Sequence, residues 1–447
     1  MKKKIIAVIL ALFVLFAIPA SAYELTGYEL HSSAVMLVSM DTGEVLYTEN
    51  ENEIRYPASI TKLMTAIVMV ENIADLDNTY ITYTKTANNL ILGTGSVVYN
   101  LQIGEKMKAR DALASLLISS HGDVAYAIAE HVGGSIPKFV DMMNAKAAEM
   151  GLANTKYENP VGLHHDEHYT TAADIYKLAK YAFEIDVIKE MASKATYKMG
   201  ATDVHGERTI SNSNLMINPN SNVYYQPAVC GKTGFTDEAG RCLVSLATND
   251  GYTYMAIVLN SKTIRGTRNE FIDSANMYRW AFRNFEYKKV LSAATPVGEM
   301  PVELSSDADF VQLALENGLE ALLPKDADSS TITVKSHPVA ESIDAPVAKG
   351  QVLGTADIYY AEELIGTVNL VAANNVELNK MMKFMRDAKE LSHKFFTSPI
   401  MIAVYILLGL VVAIFIGLTV YLNLNRKKRR RVKYKPITKE ELDNRDE

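Results

Sequence analysis

The sequence predicts an α/β protein of the α+β kind. One domain would carry an antiparallel sheet and a helical subdomain, followed by a small all-β domain and one transmembrane helix. Three observations predict this. A β-rich hairpin near residue 40 and a run of strands after residue 223 flank a long helical stretch, so a sheet can be assembled from both ends of that domain. After about residue 290 short strand-like runs replace helical periods. The 23 residues from Ile400 to Leu422 are apolar and uncharged, and as a helix they would reach about 34 Å.

Taken in order, Lys2, Lys3 and Lys4 precede an apolar run from Ile5 to Ile18 and then Pro19-Ala20-Ser21-Ala22. That pattern predicts a secretory signal peptide over residues 1–22, cleaved after Ala22, with an uncleaved anchor as the alternative. Ala34–Met40 and Val45–Tyr47 read as a hairpin about Asp41-Thr42-Gly43-Glu44. Residues 111–132 carry a helical pattern broken at Ser119-Ser120-His121-Gly122, a polar break that can point side chains into a cleft. Residues 159–172 hold His164, His165 and His168 without the spacing of a helical zinc motif, and are expected to form a surface loop in which Thr170 or Thr171 caps the next helix. Val223–Gly251 and Tyr252–Asn260 read as strands, and Glu270–Phe285 as a closing amphipathic helix.

The expected domains are 23–288 and a β-domain at 289–375. A helical linker over 376–399, the span at 400–422 and a basic tail at 423–447 follow. Arg426–Arg431 mark the side of the membrane on which the tail lies as cytoplasmic, which leaves the domains outside. Residues 23–397 hold 32 Lys and Arg against 47 Asp and Glu, a net charge of −15. Such a surface does not favour nucleic acid or anionic lipid through bulk charge. Cys230 and Cys242 flank a lysine motif on neighbouring strands. Export permits a disulfide, but hairpin register would offset the two, and two buried thiols are expected.

The chemistry centres on Tyr56–Ala66. Ser59 and Lys62 are three residues apart, so a helix starting at Ser59 puts them on one face, one turn apart. A lysine amine there can take the proton of an otherwise weakly nucleophilic hydroxyl. The same S-x-x-K pattern recurs at Ser135–Lys138, where a helix-capping serine and a solvated lysine explain it. Downstream lie Ser120 and Lys232-Thr233-Gly234, completing a set found in penicillin-binding proteins and serine β-lactamases. In that set Ser59 attacks a carbonyl carbon, Ser120 passes a proton toward the leaving amine, Lys232 supplies positive charge and Thr233 bonds a substrate carboxylate. Gly234 leaves room for a substrate backbone, and the N–H groups of Ser59 and Phe235 form an oxyanion hole.

Pro57–Ala66, Lys232–Gly240, Asn159–Ala172, Ala345–Gly350 and Gly366–Ala372 together resemble the D-alanyl-D-alanine carboxypeptidases of low molecular mass, a penicillin-binding, serine-peptidase family. The resemblance implies a β-lactamase/transpeptidase-like fold and a C-terminal membrane anchor. It also implies no metal or organic cofactor, peptidoglycan stem peptides as substrate and β-lactam antibiotics as covalent inhibitors. It further implies a basic residue that receives the substrate's terminal carboxylate, with Arg268 favoured over Arg265. One departure stands out. The family's S-x-N reads Ser120-His121-Gly122 here, followed by Asp123. Three readings follow. The first is a serine carboxypeptidase trimming terminal D-alanine, with His121 or Asp123 as candidates for the asparagine's work. The second is a catalytically impaired homologue serving as a wall-binding scaffold. The third is a β-lactamase, which the extra domain and span do not fit.

Overall fold

Short continuous apolar runs, Ala34–Val38 and Tyr254–Leu259 among them, supply the central sheet. The computed structural model describes residue 23 and residues 25–432, so the expected signal peptide and the end of the basic tail lie outside the described residues. The described chain divides into two units, one running to Lys288 and including Glu320–Ser329, the other comprising Lys289–Leu319 and the residues from Ser330 onward.

In the first unit β1 (Ser32–Ser39) and β2 (Val45–Glu49) form the expected hairpin. A short 3-10 turn (Ala58–Thr61) runs into α1 (Lys62–Asn72). The helical insert follows: α2 (Lys85–Ile91), α3 (Ala109–Ala114), α4 (Gly122–Gly133), α5 (Ile136–Glu149), α6 (Ala172–Glu184) and α7 (Asp186–Ala192). Then come β3 (Ala228–Thr236), β4 (Gly240–Asn249), β5 (Tyr252–Ser261) and α8 (Asn269–Asn284). The strand order is β2-β1-β5-β4-β3, antiparallel throughout. Strands from the two ends of the unit therefore meet where β1 pairs β5, with Val35 opposite Val258.

Both faces of this sheet are covered. Along β1, Ala34, Met36 and Val38 pack toward the helical insert, while Val35 and Leu37 pack with Phe271, Tyr278 and Trp280 of α8. Strand β3 is left at one edge of the sheet, beside the 3-10 turn that bears Ser59. An edge strand keeps backbone groups free for an extended ligand.

The second unit holds β6 (Pro296–Glu303), β7 (Phe310–Leu315), β8 (Ile332–Pro338), β9 (Ile343–Asp344), β10 (Val352–Tyr360) and β11 (Glu363–Ala372). They form one sheet in the order β8-β10-β11-β7-β6-β9 over an apolar core that includes Val311, Leu353 and Ile358. Helix α9 (Lys380–Phe396) begins where the Asn379 side chain accepts from the Met381 and Met382 N–H groups at 3.0 and 3.1 Å. Helix α10 (Pro399–Val432) follows. Its segment Pro399–Lys428 has a mean hydropathy of 2.9 and no buried share in its apolar window, which makes it a candidate membrane anchor.

Candidate active site

The helix does not begin as the spacing alone suggests. Ser59 lies inside the 3-10 turn, and Lys62 is the first residue of α1. In a 3-10 turn positions i and i+3 eclipse, so the juxtaposition survives the change of helix type. Lys62 Nζ is 2.8 Å from Ser59 Oγ and donates to the Val161 carbonyl at 2.7 Å. Lys62 is fully buried. Burial, and then the charge of Lys232, hold its pKa well below the usual lysine value, while Asp123 pulls weakly the other way. A lysine in that state spends more of its time as a neutral amine.

The second serine is positioned by strain in the broken helix. After α3 the chain widens into a π turn (Ser115–Ser119), and Ser120 takes the left-handed conformation at φ 65° and ψ 34°. That turns its hydroxyl to accept from Lys232 Nζ at 2.9 Å. Lys232 also donates to the Thr233 carbonyl at 2.9 Å. Burial lowers its pKa to about 7. Thr233 Oγ1 donates to Ser213 Oγ at 2.7 Å. The structure thus forms two hydroxyl–amine pairs, Ser59 with Lys62 and Ser120 with Lys232, with Thr233 next to the second.

Gly234 is next to them for a reason the sequence did not reveal. A Cβ there would stand 2.8 Å from the Pro57 carbonyl and 3.1 Å from the Ser59 nitrogen. The glycine lets β3 press against the serine turn itself, before any ligand is considered. Phe235 presents a half-exposed ring to the opening, and the Arg241 guanidinium sits over that ring, 4.7 Å from its centroid.

Ser59, Ser120, Thr233, Gly234 and Phe235 line a cavity of about 550 Å3 together with Ser96, Val161, Ser213 and Arg268. Of the two arginine candidates, Arg268 is at the cavity. Its Nη2 pairs with buried Glu270 at 2.6 Å, and its Nε donates to the same oxygen at 2.7 Å. Arg265 sits at φ 51° in the preceding turn, away from the residues that line the cavity.

The loop 159–172 departs from the sequence expectation. His164–Glu167 are exposed, but His168, Thr170 and Thr171 are buried. His168 Nε2 bonds Thr61 Oγ1 at 2.9 Å, and burial pushes its pKa down to about 3. Thr171 does cap α6, accepting from Asp174 N–H at 3.1 Å. Asn159 Oδ1 collects the N–H groups of Val161, Gly162 and Leu163 at 3.1, 2.8 and 3.0 Å. This side-chain hub presents the Val161 carbonyl to Lys62. The sequence marks this stretch as a surface loop, with no sign that its backbone would serve a lysine 99 residues upstream.

Neither neighbour of Gly122 faces the cavity. His121 Nδ1 bonds Ser115 Oγ at 2.7 Å, and burial lowers its pKa to about 4. Asp123 accepts from the N–H groups of Tyr99 and Val124 at 2.9 Å each. The second S-x-x-K copy is spatially separate. Ser135 takes the position before α5 without a side-chain cap bond, and Lys138 is exposed. Cys230 and Cys242 are free, buried thiols. In the β3–β4 register Cys242 faces Gly234 and Cys230 faces Leu246, so the offset expected from the hairpin keeps them unpaired.

The family model described as D-alanyl-D-alanine carboxypeptidase matches residues 20–263, and the one described as Penicillin-binding protein 5, C-terminal domain, matches residues 285–378. D-alanyl-D-alanine carboxypeptidase DacC of Escherichia coli is 30% identical over 386 residues, 82% of this chain and 90% of its own. D-alanyl-D-alanine carboxypeptidase DacF of Bacillus subtilis is 29% identical over 356 residues, 79% of this chain and 88% of its own. The solved structure of penicillin binding protein 5 from Haemophilus influenzae aligns with a TM-score of 0.60 at 25% identity, covering 79% of this chain and 99% of that one. With one family model spanning more than half its length and a relative at 30% identity over most of both chains, this protein belongs to the D-alanyl-D-alanine carboxypeptidase family of serine peptidases.

Proposed function

We propose that the protein is a membrane-tethered serine carboxypeptidase that removes the terminal D-alanine of peptidoglycan stem peptides through an acyl-serine intermediate. The observation that carries this reading is the 2.8 Å approach of Lys62 Nζ to Ser59 Oγ, with Lys62 buried and depressed in pKa. Neutral Lys62 takes the Ser59 proton as Oγ attacks the carbonyl carbon of the penultimate D-alanine. The oxyanion that forms lies between the Ser59 and Phe235 N–H groups. Ser120, bonded to Lys232, hands its proton to the nitrogen of the departing D-alanine and takes one in turn from protonated Lys62, which becomes neutral again as the C–N bond breaks. Neutral Lys62 then accepts a proton from the water that attacks the ester, and returns it to Ser59 Oγ as the acyl group leaves. Thr233 and Arg268 receive the terminal carboxylate, and Lys232 adds charge behind it. No step calls for a metal or organic cofactor. Export by the N-terminal segment and anchoring by α10 would put the site outside the cell.

Two assays test this together: release of D-alanine from a peptide ending in D-Ala-D-Ala, and covalent labelling by fluorescent penicillin. Ser59→Ala should abolish both, while Ser135→Ala should leave both intact. Labelling that persists in Ser59→Ala would remove Ser59 from its role. A second reading, a scaffold with an impaired site, draws on Gly122, where the family's amide is missing. Labelling without measurable D-alanine release would favour it.

A further inference from the structure

The opening turn of α4 lacks a side chain at Gly122, yet the space beside it is filled. A Cβ built on Gly122 would run into the Ser96 hydroxyl, and would stand 3.2 Å from Ser96 Cβ and 2.7 Å from Ile91 Cδ1. The segment that carries Ser96 is stitched to this turn. Gly122 N–H donates to the Val97 carbonyl at 2.8 Å. Asp123 accepts from Tyr99 N–H at 2.9 Å and Leu101 N–H at 3.3 Å. Ser96 N–H itself bonds Thr94 Oγ1 at 3.3 Å. Ser96 is half-buried and lines the same cavity as Ser59, Ser120 and Ser213. Its hydroxyl has no hydrogen-bond partner among the described residues. His121 and Asp123 are already spent on Ser115 and on backbone N–H groups.

We infer that Ser96 is a substrate-binding residue, its hydroxyl occupying the place left open by Gly122 and hydrogen-bonding a backbone amide of the peptide substrate. A hydroxyl both donates and accepts, so it can serve either the N–H or the carbonyl of that amide. The cavity wall thereby keeps a polar group at this point, delivered from a different segment of the chain. The inference rests on the proposed acylation of Ser59 and refines how the peptide is aligned for it. A flexible peptide depends on such bonds for alignment, whereas a rigid β-lactam depends on them less.

The test uses the full-length protein in detergent and measures two rates: kcat/KM for D-alanine release from a peptide ending in D-Ala-D-Ala, and the acylation rate with fluorescent penicillin. Ser96→Ala should lower peptide kcat/KM about three- to tenfold, the worth of one uncharged hydrogen bond, and change penicillin acylation less than about twofold. Ser96→Thr, which keeps the hydroxyl, should restore most of the loss. Gly122→Asn alone must push Ser96 and Ile91 aside and should lower peptide turnover. Combined with Ser96→Gly it should recover activity, giving a strongly non-additive pair. Unchanged peptide turnover in Ser96→Ala, or an equal loss on penicillin and peptide, overturns the inference while leaving the Ser59 reading in place. Survival of both rates in Ser59→Ala overturns that reading and the inference with it.

Discussion

Lys232 donates to the Ser120 hydroxyl at 2.9 Å, joining the edge strand of the sheet to the left-handed residue that breaks the helical insert. The contact ties the second serine to a buried ammonium. The charge of that ammonium adds to burial in depressing the Lys62 pKa.

The two buried amines predict a bell-shaped pH profile. Lys62 must be neutral to take a proton, so peptide kcat/KM rises with pH on the acid side. Lys232 must be charged to favour the substrate carboxylate, and its pKa is lowered to about 7, so kcat/KM falls as pH passes that value. Stability carries its own sign. The folded pKa of Lys232 lies below the ordinary 10.5, so in that window the unfolded chain binds more protons and this group makes the fold more stable as pH rises. Steady-state rates and Tm measured from about pH 6 to about pH 10 check both limbs. A peptide rate that keeps climbing through that whole range would strip Lys232 of its charge-dependent role.

The Asn159 hub predicts a loss of both stability and rate. Asn159→Ala leaves three backbone N–H groups without their acceptor, a cost of about 1–3 kcal/mol for each one that water does not reach. It also frees the Val161 carbonyl, which now fixes Lys62 at 2.7 Å. Thermal unfolding should show a lower Tm, and penicillin acylation should slow by more than the unfolded fraction at assay temperature explains. A lower Tm with an unchanged acylation rate would mean that the Val161 carbonyl does not orient Lys62.

Arg268 predicts a preference for free carboxyl ends. Its guanidinium is held by buried Glu270 yet still lines the cavity, with 32% of its side chain exposed. Arg268→Gln should lower kcat/KM about ten- to hundredfold for a peptide with a free terminal carboxylate, the range of one hydrogen bond to a charged group. The same change should leave turnover of the C-terminally amidated peptide nearly constant. Equal losses on both peptides would point to a role in holding the fold near α8 instead. Arg265→Gln serves as the control and should change neither rate.

The sheet and its two covering layers were legible because β1 and β5 carry short continuous apolar runs, as a sheet covered on both faces requires, and because helical periods fill the segment between the hairpin and the later strands. Ser59 and Lys62 were legible because three residues of one turn hold both. The supporting half of the site was not. The Val161 carbonyl is a backbone group, and its importance comes from a loop whose histidines drew attention to the surface. His168 is a buried partner of Thr61. Gly122 read as a missing asparagine, since spacing along the chain cannot show that Ser96 stands against it. Gly234 was read as making room for a ligand, whereas the nearest atoms to its absent Cβ belong to Pro57, Ala58 and Ser59. Each of these depends on which backbone approaches which, a property of packing that side-chain identity does not carry.

The last prediction concerns the side of the membrane on which the site works. Segment Pro399–Lys428 is long and apolar enough to cross a bilayer, and none of its apolar window is buried against the rest of the chain. Arg426–Arg431 follow the apolar stretch directly. A basic cluster at one end of a span is retained on the cytoplasmic side, because moving several charges through the hydrocarbon core is costly. The domains before the span would then lie outside, where the proposed peptidoglycan substrate is. Protease added to intact, wall-stripped cells should digest residues 23–397 and spare a tag placed after Glu447. Replacing Arg426–Arg431 by glutamine weakens the retention signal and should expose the tag in a fraction of the molecules. Digestion of the tag in the unaltered protein would reverse the orientation, and would leave the proposed carboxypeptidase facing a compartment without its substrate.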